Sequence, residues 1–316
     1  MERWKGMLYL FGAFTLAGSS VITGSLLNGK LGAFTITAIS LLLALMILIP
    51  MCFRELVRSF GRRARVNWPQ LLLQSVFGMF LFRMFMLFGL SHTSAAEAGI
   101  ITGATPALTV LLARLVLKEP VNRFSLTGIA STVSGIILIQ GLFPQGNSFT
   151  LQHLIGNMLV LFAAASESVF NILSRRSSLR SGGPSEQPVD PAVQTTLVSA
   201  MAFLLCLVPA GFENPLRSLA GIGWEEWLAL VWYGPFVTAL AFVLWYAGIH
   251  RCDASTAAAF SGMMPFTALV LSVVLLRQQA GVEQWAGGLL VAAGMVLIGV
   301  NQTRTGGKRV KAVTAD

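Results

Sequence analysis

The sequence predicts an all-α integral membrane protein with ten transmembrane helices, arranged as two inverted five-helix repeats, and with both termini cytoplasmic. Three observations predict this. The 316-residue chain is 55% hydrophobic and only 11% charged, against about 25% charged in soluble proteins. Apolar runs of about 20 residues, the length that crosses a hydrocarbon core as a helix, follow one another along the whole chain. Finally, the chain matches itself when it is shifted so that Gly89 falls on Gly248.

The ten runs lie at about 6–27, 31–51, 69–90, 92–117, 124–143, 151–172, 191–211, 224–249, 254–276 and 281–301, separated by short polar or charged breaks. The first resembles a signal peptide in position, but it is long, lacks a small-x-small cleavage site and leads directly into another run. No stretch is left over for a separate soluble domain. Cys52, Cys206 and Cys252 are far apart and without CxxC spacing, so they read as small core residues.

Orientation follows from the basic residues, which stay on the cytoplasmic side in short loops. With the N-terminus inside, 17 of the 22 Lys and Arg fall in cytoplasmic segments, including Arg54, Arg58, Arg62, Arg63 and Arg65 after run 2. Only Lys30, Arg217 and Arg277 fall outside, and Arg83 and Arg114 lie within runs. The net charge of +9 is therefore a topology signal rather than a nucleic-acid-binding face.

The internal match pairs Gly89 with Gly248, Ala95 with Ala254, Ala98 with Ala257 and Gly103 with Gly262. It also pairs Pro106 with Pro265, Gly128 with Gly287 and Gly135 with Gly294. Runs 3–5 thus repeat as runs 8–10, and because five is odd the second half enters the membrane upside down. This is the architecture of secondary transporters, whose central site opens alternately to each side. The first repeat is placed at 1–147 and the second, with a cytoplasmic tail, at 148–316. The stretch Ser178–Pro191 reads as a flexible cytoplasmic loop.

The repeated block GLSHTSAAEAGIITGATPALTVLLARLVLKEPVNRFSLTGIASTVSGIILI at 89–139 resembles the repeat unit of the drug/metabolite transporter superfamily, specifically its ten-span EamA-type members. The copy at 248–298 is similar but replaces the Lys118-Glu119-Pro120 turn with Arg277-Gln278-Gln279. The resemblance covers essentially the whole chain. It implies an inner-membrane carrier, generally an exporter of amino acids, other metabolites or drugs. In small multidrug members of the superfamily the coupling carboxylate sits on span 1. Here span 1 carries no acid, which puts that mechanism in doubt.

Candidate functional residues are the polar and helix-breaking groups inside the runs. Pro106 and Pro265 each remove a backbone hydrogen bond, and are either symmetry-related hinges along the path or static kinks. Pro235 adds a kink to run 8 with no expected counterpart in run 3. Gly99 and Gly103 form GxxxG, for packing within the chain or for dimerisation. A charge in mid-membrane costs about 2.5–3.5 kcal/mol, so Arg83, Glu97, Arg114 and Glu167 stand out. Arg83 and Glu97 lie at similar depth on consecutive runs. They form either a structural ion pair or a substrate site in which the guanidinium takes a carboxylate or phosphate.

Aligning Ala17-Gly18-Ser19 with Ala165-Ser166-Glu167 places Glu167 opposite Ser19. Thr15, Ser19 and Thr23 then form a polar stripe on run 1, and Glu167, Asn171 and Ser174 one on run 6. Glu167 either exchanges a proton or binds a substrate amine, or it is a structural acid near the cytoplasmic end. Arg114 reads as snorkelling to cytoplasmic headgroups. Trp232, Tyr233 and Phe236, beside Pro235, are placed to line a cavity and stack on a planar or cationic substrate. His92, His153 and His250 sit at run ends without metal-ligand spacing, so no metal is expected.

The sequence therefore reads as a secondary transporter exporting a small polar metabolite, such as an amino acid or carboxylate-bearing compound. The alternatives are a multidrug or cationic-compound exporter, or a channel or scramblase. The absence of HExxH, Ser/His and paired-Asp patterns disfavours an intramembrane enzyme, and no Walker A motif is present. The expected partners are a small-molecule substrate and the lipid bilayer, with no nucleic acid. No cofactor is expected, transport is either proton-coupled or facilitated diffusion, and the chain is expected to be a monomer or weak homodimer.

Overall fold

The structure, a computed structural model, describes residues 2–61, 67–116, 123–139, 151–180, 191–249, 251, 260 and 263–313. The described residues are helical almost throughout. The main helices are α1 (Glu2–Leu27), α2 (Ala33–Gly61), α3 (Trp68–Leu90), α4 (Ala95–Val116), α5 (Arg123–Ile139), α6 (Leu151–Arg180) and α7 (Pro191–Phe212). They continue with α8 (224–249), α9 (Met263–Leu275) and α10 (Val282–Val313), and a short helix, Pro215–Ala220, links α7 to α8. Seven of them, α1–α4 and α6–α8, are long and apolar enough to cross a membrane. Arg123–Leu138, Met263–Leu275 and Val282–Leu297 are shorter apolar helices. The helices α2, α6 and α10 extend about ten residues beyond their apolar runs, because good helix formers such as Glu and Arg carry the hydrogen-bond ladder past the hydrophobic stretch.

The ends are set by local chemistry. Gly29, at φ 80°, takes the left-handed turn between α1 and α2. Asn28 then donates to the Leu87 carbonyl (3.3 Å) and to Ser91 (3.1 Å), tying that turn to the end of α3. The N-terminus of α2 is capped across the fold by Glu213, which accepts from the Thr35 amide (2.8 Å) and hydroxyl (2.7 Å). Lys30 pairs with Glu226 at the start of α8, and that carboxylate holds the Lys30 pKa above its ordinary value.

Helices pack with the partner five places along the chain: α2 against α7, α4 against α9, and α5 against α10. Alongside these contacts α1 runs with α8, and α3 with α6. Small residues permit the close approaches. Gly99 faces Ala268 of α9 and Gly103 faces Val291 of α10, so the GxxxG face is used inside the chain. Gly18 meets the Met264 carbonyl and Thr267 of α9.

Two expectations about backbone breaks need correction. Pro235 was expected to distort α8 alone, yet both α8 and α3 contain π-helix, at Trp232–Leu240 and Val76–Leu81. The 159-residue shift overlays the second on 235–240, so α3 reaches the wider winding without a proline. Nor does Pro106 kink a continuous helix. The chain breaks at Gly103-Ala104, and Pro106 occupies the first turn of a new helical segment, Thr105–Val116. There its missing N–H falls among the first-turn amides, which have no acceptor within their own segment. Pro265 likewise lies in the first turn of α9, and the residues just before that helix, like the repeat junction, the Lys118–Pro120 turn and most of the 178–191 loop, lie outside the described residues.

Candidate functional site

The buried charge on α3 organises the centre. Arg83 is 4% exposed. Its Nη1 donates to Ser40 Oγ of α2 at 2.7 Å, and its Nη2 to Thr238 Oγ1 of α8 at 2.5 Å. Each hydroxyl spends its own hydrogen on a backbone carbonyl: Ser40 on Thr37 (3.0 Å) and Thr238 on Tyr233 (2.9 Å). Both oxygens therefore present lone pairs to the guanidinium. The Tyr233 bond spans five residues, the spacing of the π segment, which turns the Tyr233 ring beneath Arg83 with 4.6 Å from guanidinium carbon to ring centre. Gly234 lets α8 lie against the Ser40 carbonyl. Two of the five guanidinium donors are thus used, and among the described residues Arg83 forms no ion pair.

Of the two readings that similar depth allows, the Arg83–Glu97 ion pair is not formed, because Glu97 faces another way. Its Oε2 receives Thr93 Oγ1 (2.9 Å) and Asn157 Nδ2 (3.3 Å) and lies 3.3 Å from His153 Nδ1, while Oε1 receives Gln284 Nε2 at 3.4 Å. The carboxylate ties the start of α4 to the starts of α6 and α10, and Ser94 caps α4 beside it. His153, read as a run-end residue, belongs to this cluster.

On the first polar stripe, Ser19 accepts from Trp232 Nε1 of α8 at 2.8 Å, and Trp232 stacks on Phe236 with ring centres 4.9 Å apart. One turn before Ser19, the Thr15 hydroxyl is buried without a hydrogen-bond partner among the described residues. On the second stripe, Glu167 Oε2 accepts from Thr105 Oγ1 at 2.9 Å, directly before Pro106, and Asn171 is half-buried one turn further on. The Ser168 hydroxyl lies between the Thr105 carbonyl (2.9 Å) and the Ala164 carbonyl of its own helix (2.8 Å), at the same point of α4. Near these helices a small crevice is lined by Gln74, Met79, Phe170, Gln194, Val198 and Phe242, and the Gln74 Nε2 has no partner there.

The sequence pattern thus placed Arg83, Tyr233, Trp232, Ser19 and Glu167 among the candidates but missed Ser40, Thr238 and Thr105. The signal for the missed residues was weak: single hydroxyls inside apolar runs, with no period to mark their face. Among the described residues no group of three metal-ligand side chains converges.

Arg83 is thus held by two hydroxyls and a ring inside a bundle of long apolar helices. The EamA-like transporter family model matches residues 4–141 and 154–300. The chain belongs to the EamA-like transporter family. It is accordingly a multi-pass membrane transporter of the drug/metabolite superfamily, and not an enzyme. It is 30% identical over 287 residues to the uncharacterized transporter YetK of Bacillus subtilis, covering 90% of this chain and 84% of that protein. It is 27% identical to the aromatic amino acid exporter YddG of Ancylobacter novellus, over 74% and 75% of the two chains. It is 28% identical to a probable amino-acid metabolite efflux pump of Salmonella typhimurium, over 70% and 72%. One crystal structure superposes on this EamA-type chain with a TM-score of 0.60 at 21% identity, covering 95% and 98%, a likeness of fold.

Proposed function

We propose that this EamA-type transporter exports a small carboxylate-bearing metabolite of the amino-acid kind across the inner membrane. It does so by alternating access between two inverted five-helix halves. In this reading α5, α9 and α10 also span, giving ten spans with both termini inside, as the 17 of 22 basic residues on one face favour. Pro106 and Pro265 act as the paired hinges, and the protein works as a monomer.

The observation that carries the reading is Arg83. A buried cation without a counter-charge costs several kcal/mol, and a substrate carboxylate offsets that cost through a two-pronged bond to the unused guanidinium donors. Two relatives named for amino-acid efflux support the same substrate class. Trp232 and Phe236 supply a stacking surface near Ser19, and Glu167 exchanges the coupling proton.

The test is counterflow by purified protein in vesicles loaded with single amino acids or with the matching decarboxylated amines. Saturable exchange of amino acids, absent for the amines and lost in Arg83→Ala, is expected. Equal exchange of the amines removes the carboxylate from the mechanism, and unsaturable flux indicates a channel or scramblase instead.

A further inference from the structure

The break in α4 has its own hydrogen-bond problem. Pro106 cannot donate to the Thr102 carbonyl four residues earlier, and that carbonyl is satisfied by Thr105 Oγ1 at 2.9 Å. The same hydroxyl oxygen lies 2.9 Å from Glu167 Oε2. A threonine hydroxyl carries one hydrogen, so it cannot donate fully to both acceptors.

From this geometry we infer that Thr105 is a positioning residue which couples the protonation of Glu167 to the break in α4. The inference rests on the reading of Glu167 as the proton-exchanging acid of an alternating-access carrier. When Glu167 is ionised it is acceptor-only, so the Thr105 hydrogen turns to the carboxylate and the Thr102 carbonyl loses its partner. When a proton from water binds Glu167, the acid O–H donates to Thr105 Oγ1. The Thr105 hydrogen then returns to Thr102, and the break is tied. One proton therefore switches one side-chain-to-backbone hydrogen bond at the break in α4.

Among the described residues Thr105 is the hydrogen-bond partner of Glu167. The helices packed against α6 here are α3 and α4. Their charged groups are Arg83, engaged with Ser40 and Thr238, and Glu97 and Arg114, about 12 and about 13 Å along α4 from Thr105 at about 1.5 Å per residue. On α6 itself the charged groups are His153, engaged with Glu97 at the far end, and Arg175, Arg176 and Arg180, about 12 Å or more along the helix from Glu167 at about 1.5 Å per residue. Ser168, from the neighbouring position, shares its one hydroxyl hydrogen between the Thr105 carbonyl (2.9 Å) and the Ala164 carbonyl of its own helix (2.8 Å), so α6 touches the same residue of α4 twice.

The test is amide hydrogen exchange of the segment 103–109 in the full-length protein in vesicles, from about pH 4.5 to about pH 8.5, normalised to intrinsic exchange rates. Wild type is expected to show about three- to tenfold more protection at the acidic end, the change that one hydrogen bond makes. Glu167→Gln, whose amide donates as the protonated acid does, should hold the protected level at every pH. Thr105→Ser should keep the pH dependence, and Thr105→Val should lose it. A pH-independent wild type, a Thr105→Val protein that still responds, or a Glu167→Gln protein that responds overturns the inference. If Thr105→Val fails to insert, the Glu167→Gln profile decides alone. The readout needs no substrate, so failure of counterflow with an intact exchange switch rejects the transport reading and leaves this one.

Discussion

Gly135 of α5 lies against the backbone of Gly287 of α10: a Cβ built on Gly135 would stand 2.7 Å from the Gly287 carbonyl oxygen and 2.9 Å from Val291 Cγ2. The contact is reciprocated, since a Cβ on Gly294 would stand 2.6 Å from the Gly128 carbonyl. Backbone stands in the way in both cases, and it cannot swing aside as a long side chain would. Gly135→Val is therefore expected to destabilise by about 1–3 kcal/mol through overpacking. Gly211→Ala in α7, where a Cβ meets nothing within 4 Å, should be neutral or stabilise by up to about 1 kcal/mol by restricting the unfolded chain. Thermal unfolding of the two purified variants in one detergent checks the opposite signs, and equal losses would show that the α5–α10 contact is not tight.

Those four glycines were legible because they recur at one spacing, and a repeated small residue leaves a mark that composition cannot imitate. The helical class was legible from run length for the same reason. Arg83 was legible as a rare charge, but its neighbours were not. Similar depth on consecutive runs suggested Glu97 as its partner, whereas which face a residue occupies depends on rotation about the helix. Arg83 turns to α2 and α8, and Glu97 turns to α6 and α10. The π segment that aims Tyr233 and Thr238 at Arg83 shifts that rotation further, and in α3 the same winding arises at Val76–Leu81 with no proline to announce it.

Arg83→Lys keeps the charge but replaces a planar fork with a point donor that cannot reach Ser40, Thr238 and a substrate carboxylate together. The expected result is at least a tenfold fall in exchange rate with normal insertion. Ser40→Ala removes one of two supports and should cost less, about 1 kcal/mol in stability. Counterflow rates and thermal midpoints for both variants test this, and full activity in Arg83→Lys would assign the charge alone, not its geometry, to the site.

The Trp232–Ser19 bond joins α8 to α1. Trp232→Phe preserves an aromatic face for Phe236 while deleting the Nε1 donor. Each single variant, Trp232→Phe or Ser19→Ala, is expected to lose about 1 kcal/mol, and the double variant little more, giving a coupling energy of about 1 kcal/mol. Strict additivity in chemical unfolding would mean that the two side chains do not act on each other.

Around Glu97 the amides of Asn157 and Gln284 donate to the two carboxylate oxygens, the Thr93 hydroxyl shares its one hydrogen between Glu97 and Asn157 Oδ1, and His153 lies beside them. Such a set suits an acceptor-only group. Glu97→Gln alters no volume, yet it turns an NH2 group toward either the Asn157 or the Gln284 amide, so that two donors oppose each other. A flip of the Asn157 amide would relieve the conflict only by giving up the 2.5 Å bond from the Thr93 hydroxyl to Asn157 Oδ1. A loss of about 1.5–3 kcal/mol is expected, the range for a hydrogen bond to a charged group, with faster amide exchange at the starts of α6 and α10. Exchange there should rise while the segment 103–109 stays unchanged, because Glu97 lies about 12 Å from Thr105 at about 1.5 Å per residue along α4. A neutral Glu97→Gln would mean that the carboxylate is held by packing rather than by its donors.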